Sequence, residues 1–196
     1  MRNSSVDPPG GHLRILSTPG FGRKIVVPLS SDFHARYPDI TVELLLSDSL
    51  VDLIADHIDV CIRENPVADN SVVARQLMPR QLVVCASRVH ARMHGLQGHV
   101  GEIAHHRCIS FRAESGSIEA WTFKVDPLTR WCSPIEPHTF NDTGLIVQTA
   151  LDGFGIAQLP AYQVCGPLAE GRMIRCLSQY APEDDGIFLC YPDGIA

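Results

Sequence analysis

Apolar positions along this chain switch between two rhythms, and the switching predicts strands alternating with helices. Residues 13–16 form a short apolar run, read as a strand. Ser17-Thr18-Pro19-Gly20 follows as a turn and helix-capping segment. Within residues 21–37, Ile25, Leu29 and Phe33 fall on one face at helical spacing. Pro28 interrupts the run and predicts a kink or restart, since proline has no N–H and its ring crowds the preceding turn. Tyr37-Pro38-Asp39 ends it. Ile40, Val42, Leu44 and Leu46 alternate as a strand, continuously apolar toward its end, as a covered strand would be. Ser47-Asp48-Ser49 reads as the cap of a second helix carrying Leu50, Leu53 and Ile54, and residues 59–63, DVCIR, as the next strand. This order implies a mostly parallel sheet with right-handed crossovers.

Residues 72–77 and 81–87 read as strands, the second containing VVCAS. The stretch 88–106 is rich in His and Gly and supports only short helical pieces. Residues 108–111, 121–124 and 131–133 read as strands of a second sheet. The most ordered pattern is FNDTGLIVQTALDGFGIAQLP, residues 140–160. It runs from a polar cap into a helix apolar at Leu145, Ile146 and Ala150, with Thr149 on the same face. Gly153 fits the left-handed stop, a short buried strand follows, and Pro160 marks a restart. Residues 173–176 and 187–191 close the chain as strands. Two units of this grammar, one in each half, suggest two lobes that aim helix N-termini into a shared cleft. That suits a small-molecule sensor better than a catalyst.

Composition narrows the classes. The chain has 196 residues, 45% hydrophobic and 19% charged, which is globular. Its net charge of −6 and the scatter of Arg75, Arg80 and Arg88 argue against gripping a phosphate backbone unaided. Neither a signal peptide nor a run long enough for a membrane span is expected. Seven scattered cysteines, several inside apolar runs, fit reduced, buried thiols in the cytoplasm. There is no G-x-S-x-G and no paired-carboxylate context, so no enzyme activity is expected. His105-His106 with Cys108 lacks metal-ligand spacing, and Gly153 with Gly155 lacks the dinucleotide fingerprint, so neither metal nor cofactor is expected. Trp121 and Trp131 read as core or rim, and Glu183-Asp184-Asp185 as a solvated turn.

Taken in order, GHLRILSTPGFGRKIVVPLSSDFHARYPDITVELLLSD, DLIADHIDVCIR, VVARQL, VVCAS, HHRCISF, the 140–160 segment, LAEGRMIRCL and FLCYP resemble the effector-binding region of LysR-type transcriptional regulators. The resemblance covers residues 11–192. It implies an α/β fold of two Rossmann-like lobes joined by two crossover strands, like type 2 periplasmic binding proteins, with the ligand in the cleft between them. Residues 1–11 would be a linker remnant, 12–86 plus 187–196 lobe I, and 87–186 lobe II, with VVCAS and FLCYP as the crossovers.

The resemblance places candidate ligand-binding residues at Ser17, Thr18, Pro19, Ser47, Ser49, Arg63, Ser110, Phe111, Asn141, Asp142 and Thr143. Each has a blander reading: the Ser, Thr and Asp residues as caps, Arg63 in an ion pair with Glu64 or Asp59, Ser110 and Phe111 as a strand end. The family's N-terminal helix-turn-helix and terminal helix are not in the sequence, which reads as an excised or truncated piece. The expected function is therefore a cytoplasmic sensor domain that binds a small anionic metabolite to control transcription. It is expected to self-associate, to reach DNA only through the missing N-terminal domain, and not to engage a membrane. The alternative is a stand-alone solute-binding protein of the same fold.

Overall fold

The computed structural model describes residues 9–49, 52–64, 71–125, 128–132, 138–183 and 185–194. Leu50, Ser133, Asp184 and most of the expected linker remnant therefore lie outside the described residues. Internal contacts divide the chain into one unit of Met1–Leu77 with Ile187–Ala196 and a second of Met78–Gly186.

The first unit opens with strand β1 (Gly11–Ser17), helix α1 (Pro19–Phe21), a π turn over Gly22–Val26 and helix α2 (Val27–Arg36). The expected break at Pro28 takes the form of that widened turn. Pro28 then falls in the first turn of α2, directly after the π turn. The apolar stripe expected on this helix is not covered: α2 has no buried residue, and Leu29 is 59% exposed. Strands β2 (Ile40–Leu46), β3 (Val60–Glu64) and β4 (Val72–Arg80) follow. β2 and β3 flank β1 and run parallel to it, from Gly11↔Ile40 to Ser17↔Leu46 on one side and from Ile15↔Val60 to Ser17↔Ile62 on the other.

The helix expected after Ser47-Asp48-Ser49 is absent from the described residues. Asp52 supplies the cap instead, accepting from the backbone N–H groups of Ile54 and Ala55 at 3.0 Å, and the chain makes a single turn over residues 53–57. His57, in the left-handed region at φ 54°, ends it. Asp59 is held to β1, its carboxylate accepting from Arg14 N–H at 2.7 Å and its own N–H donating to Arg14 O at 3.0 Å. β3 therefore enters the sheet one residue later than the DVCIR reading. Leu16, Leu53, Ile58, Cys61 and Cys190 form the core of this unit.

The second unit contains β5 (Leu82–Ser87), α3 (Arg88–His94), a 3-10 segment over Val100–His105, β6 (Ile109–Phe111), β7 (Trp121–Val125), β8 (Leu128–Cys132) and β9 (His138–Phe140). It continues with α4 (Thr143–Leu151), β10 (Ile156–Pro160), α5 (Ala161–Ala169) and β11 (Met173–Cys176). The last strand, β12 (Asp185–Pro192), returns to the first unit and pairs antiparallel with β3, in the order β2-β1-β3-β12-β4.

β5 is central in the second unit, antiparallel to β10 and β11. The VVCAS segment, read as a crossover at the edge of lobe I, thus pairs wholly within the second unit. Its unbroken apolar run has a direct cause. Alternate side chains enter two cores, Val83 and Cys85 with α4 and α5, Val84 and Ala86 with Ile103, Trp121 and Phe123. β6 pairs parallel with β9, and a Cys108–Ile156 bridge ties its start to β10. β7 and β8 form a hairpin; Trp121 is core and Trp131 is exposed.

In α4, Ile146 and Ala150 are buried as expected, but Leu145 faces solvent. Gly153 stops the helix at φ 87°. Gly155 permits the tight join that follows, because a Cβ there would overlap the Arg107 carbonyl.

Candidate functional site

In the first unit, the candidate residues converge on the carboxyl ends of three parallel strands. Ser17 is fully buried; its Oγ donates to Thr18 O at 3.2 Å, and its carbonyl accepts from Ser47 N–H at 3.1 Å. Thr18 N–H donates to Ile62 O at 3.2 Å, which ties the end of β1 to β3 beside Arg63. Thr18 starts α1 without a side-chain cap bond, and Pro19 occupies the first helical position. Ser47 Oγ accepts from Ser49 N–H at 3.1 Å, a local turn rather than a helix cap. Ser17, Thr18, Pro19, Ser47 and Arg63 are thus neighbours, with Ser49 just beyond. Carboxyl ends of parallel strands are where open α/β sheets place ligands. Gly22 was not singled out as a candidate, yet it shapes this edge. A Cβ there would overlap the Leu46 side chain and touch Ser17. A glycine in the first turn after Thr-Pro is the only sequence trace of it.

The second unit repeats the arrangement. Ser110 and Phe111 end β6, and Asn141-Asp142-Thr143 follows β9, parallel to it, with Phe111 in register with Phe140. Ser110 is buried, and its Oγ has no hydrogen-bond partner. Phe111 is half-buried against the second unit's core. Asp142 is the N-cap of α4: its Oδ1 accepts from Gly144 N–H at 2.8 Å and Leu145 N–H at 3.2 Å. That carboxylate occupies the helix N-terminus, so an incoming anion would meet a negative charge there. Asn141, exposed one residue earlier, Thr143 at the first position of α4 and the orphan hydroxyl of Ser110 remain as polar groups at this end. Nothing in the sequence could show that Ser110 lacks a partner, because satisfaction depends on what the fold packs around it.

Burial pushes the Cys61 thiol up to about 11 and the Cys85 and Cys176 thiols up to about 12, the opposite of an activated nucleophile. Among the described residues, no group of three or more His, Cys, Asp or Glu side chains is placed to hold a metal ion.

These candidate strand ends lie on two α/β units of the kind found in the regulatory domains of LysR-type regulators, akin to type 2 periplasmic binding proteins. The chain belongs to the LysR substrate binding domain family, whose model matches residues 7–195. CrgA of Neisseria meningitidis serogroup C, an HTH-type transcriptional regulator, is 32% identical over 174 residues, covering 87% of this chain and 56% of CrgA. A putative transcriptional regulator of Pseudomonas aeruginosa is 29% identical over 189 residues, covering 95% of this chain and 62% of the relative. The solved CrgA regulatory domain from Neisseria meningitidis superposes with a TM-score of 0.84 at 26% identity, covering 94% of this chain and 90% of that one. The chain thus spans less than two thirds of the length of these full-length relatives. No helix among the described residues is long and apolar enough to cross a membrane.

Proposed function

We propose that this chain is the effector-binding domain of a LysR-type transcriptional regulator and that its effector is a small anionic metabolite. The family match over residues 7–195 carries the reading. Its support in the residues is the clustering of hydroxyl and amide groups at the carboxyl ends of parallel strands in both units, with Arg63 as a nearby cation. Ser17 and Thr18 with Arg63 would act in the first unit, Ser110 and Asn141 in the second, while Asp142 caps α4. The work of such a domain is to convert occupancy into a change of conformation or subunit pairing, because a ligand shifts an equilibrium by its differential affinity for two states. In the intact regulator, a cytoplasmic self-associating protein, DNA contact would come from a separate N-terminal module. A net charge of −6 gives this domain no electrostatic grip on DNA of its own.

A melting-temperature screen against small carboxylates and other anions tests this reading. A ligand that binds only the folded state at a hundredfold excess over its Kd stabilises by about 2.7 kcal/mol. The proposal expects one chemical class of anion to raise the melting temperature saturably. Saturable stabilisation by neutral or cationic metabolites alone would refute the anion assignment.

A further inference from the structure

In the second unit, the imidazoles of His94 and His106 both lie against that of His90, near the join between α3 and the turn after α4. His90 is 1% exposed. Its ring centroid is 4.8 Å from that of His94, one turn along the same helix, and 5.7 Å from that of His106. Its Nδ1 lies 3.3 Å from the Gly153 carbonyl, and its Nε2 lies 3.4 Å from His106 Nδ1. Ser87 caps this helix, its Oγ accepting from His90 N–H at 3.2 Å. The contact sits at a close join, where Gly153 packs on Val89.

The geometry assigns the protons. A carbonyl only accepts, so His90 Nδ1 carries hydrogen and, in the neutral ring, Nε2 holds the lone pair. The facing His106 Nδ1 must then donate. A first proton from solvent can settle on the Nε2 of half-buried His106 and keep this N–H···N contact. A second must go to His90 Nε2, which sets two N–H groups against each other and puts a charge where water is excluded.

Among the described residues, no carboxylate acts on His90. The titratable and charged groups acting on His90 are His94 on its own helix and His106 and Arg107 on the segment packed against it; the turn after α4 gives it the Gly153 carbonyl, and the neighbouring Asp152 carboxylate accepts from Gln148 Nε2 at 2.9 Å. Glu102 acts on His106, alongside His94 and His105.

We propose that His90, His94 and His106 form a proton-operated latch that fastens α3 to the His106 segment at neutral pH and releases it in acid, while the His90 Nδ1–H bond to Gly153 persists. Desolvation holds His90 and His106 below the ordinary imidazole range, in agreement with this geometry. The sign follows from linkage. With folded-state values lowered, the unfolded chain binds more protons between those values and about 6.5, so stability is complete above about 6.5 and falls as the pH drops below it. The latch does not depend on which effector the domain binds.

The test is urea unfolding of the whole chain between pH 7.5 and 5, followed by tryptophan fluorescence, since Trp121 and Trp131 both lie in the second unit. Each depressed histidine raises the unfolding equilibrium constant by up to about tenfold per pH unit below about 6.5. His90→Gln, neutral throughout, is expected to flatten this dependence. An equal acid loss in His90→Gln would overturn the latch. Titration of the wild-type histidine rings by NMR decides the matter even where the variant does not fold. His90 remaining neutral after His106 has titrated supports the latch, and His90 titrating at its ordinary value contradicts it.

Discussion

At the scale of single residues, the cysteines separate structural chemistry from reactive chemistry. Cys61, Cys85, Cys108, Cys176 and Cys190 are buried free thiols, and Cys165 is exposed on α5. Thiolates react and thiols do not, so burial that raises a pKa protects twice, by exclusion and by protonation. Labelling the native chain with a thiol reagent at neutral pH, read by mass spectrometry, is expected to modify Cys165 first. Cys85 and Cys176, both pushed up to about 12, are expected to react only as fast as the second unit opens. Rapid labelling of Cys85 in the folded protein would show that its core is open. The apolar setting of VVCAS already implied such a thiol. The partnerless Oγ of Ser110 and the imidazole contacts of His90 were not legible, because neighbours distant in sequence create them.

At the scale of elements, the two capping segments had opposite outcomes for a physical reason. Asn141-Asp142-Thr143 precedes a long apolar period, and Asp142 takes the cap by accepting two backbone N–H groups. Ser47-Asp48-Ser49 has the same polar grammar, but Ser47 bonds back to Ser49, and Asp52 starts a turn that ends at His57. Asp142→Ala is expected to lower stability by about 1 kcal/mol, measured as a shift in urea midpoint. Asn141→Leu, at an exposed side chain, is expected to change it by less than about 0.5 kcal/mol. A larger loss from Asn141→Leu than from Asp142→Ala would reverse the two roles.

Strand positions were the most legible feature: Ile40–Leu46 falls where its alternation places it, and Met173–Cys176 where a closing strand is read. The sheet a strand joins was not legible. β5 is apolar on both faces, and an unbroken apolar run carries no mark of its partners; only pairing with β10 and β11 assigns it to the second unit.

At the scale of the whole molecule, the chain is a member of the LysR substrate binding domain family, and its candidate residues fall on strand ends in each of two units. We propose that the strand-end residues of each unit contribute to binding the anion. Thr18 makes no side-chain cap bond, and Asn141 is exposed, so each can be replaced without removing a core contact. The most direct measurement is the affinity of the anion selected by melting-temperature screening for the wild-type chain, for Thr18→Val, for Asn141→Leu and for the double variant. Each lost hydrogen bond is worth about 0.5–1.5 kcal/mol, or more to a charged group, so each single variant is expected to weaken binding severalfold or more and the double variant to abolish measurable stabilisation. All four proteins are expected to melt at similar temperatures without ligand. Unchanged affinity in the double variant would contradict the claim.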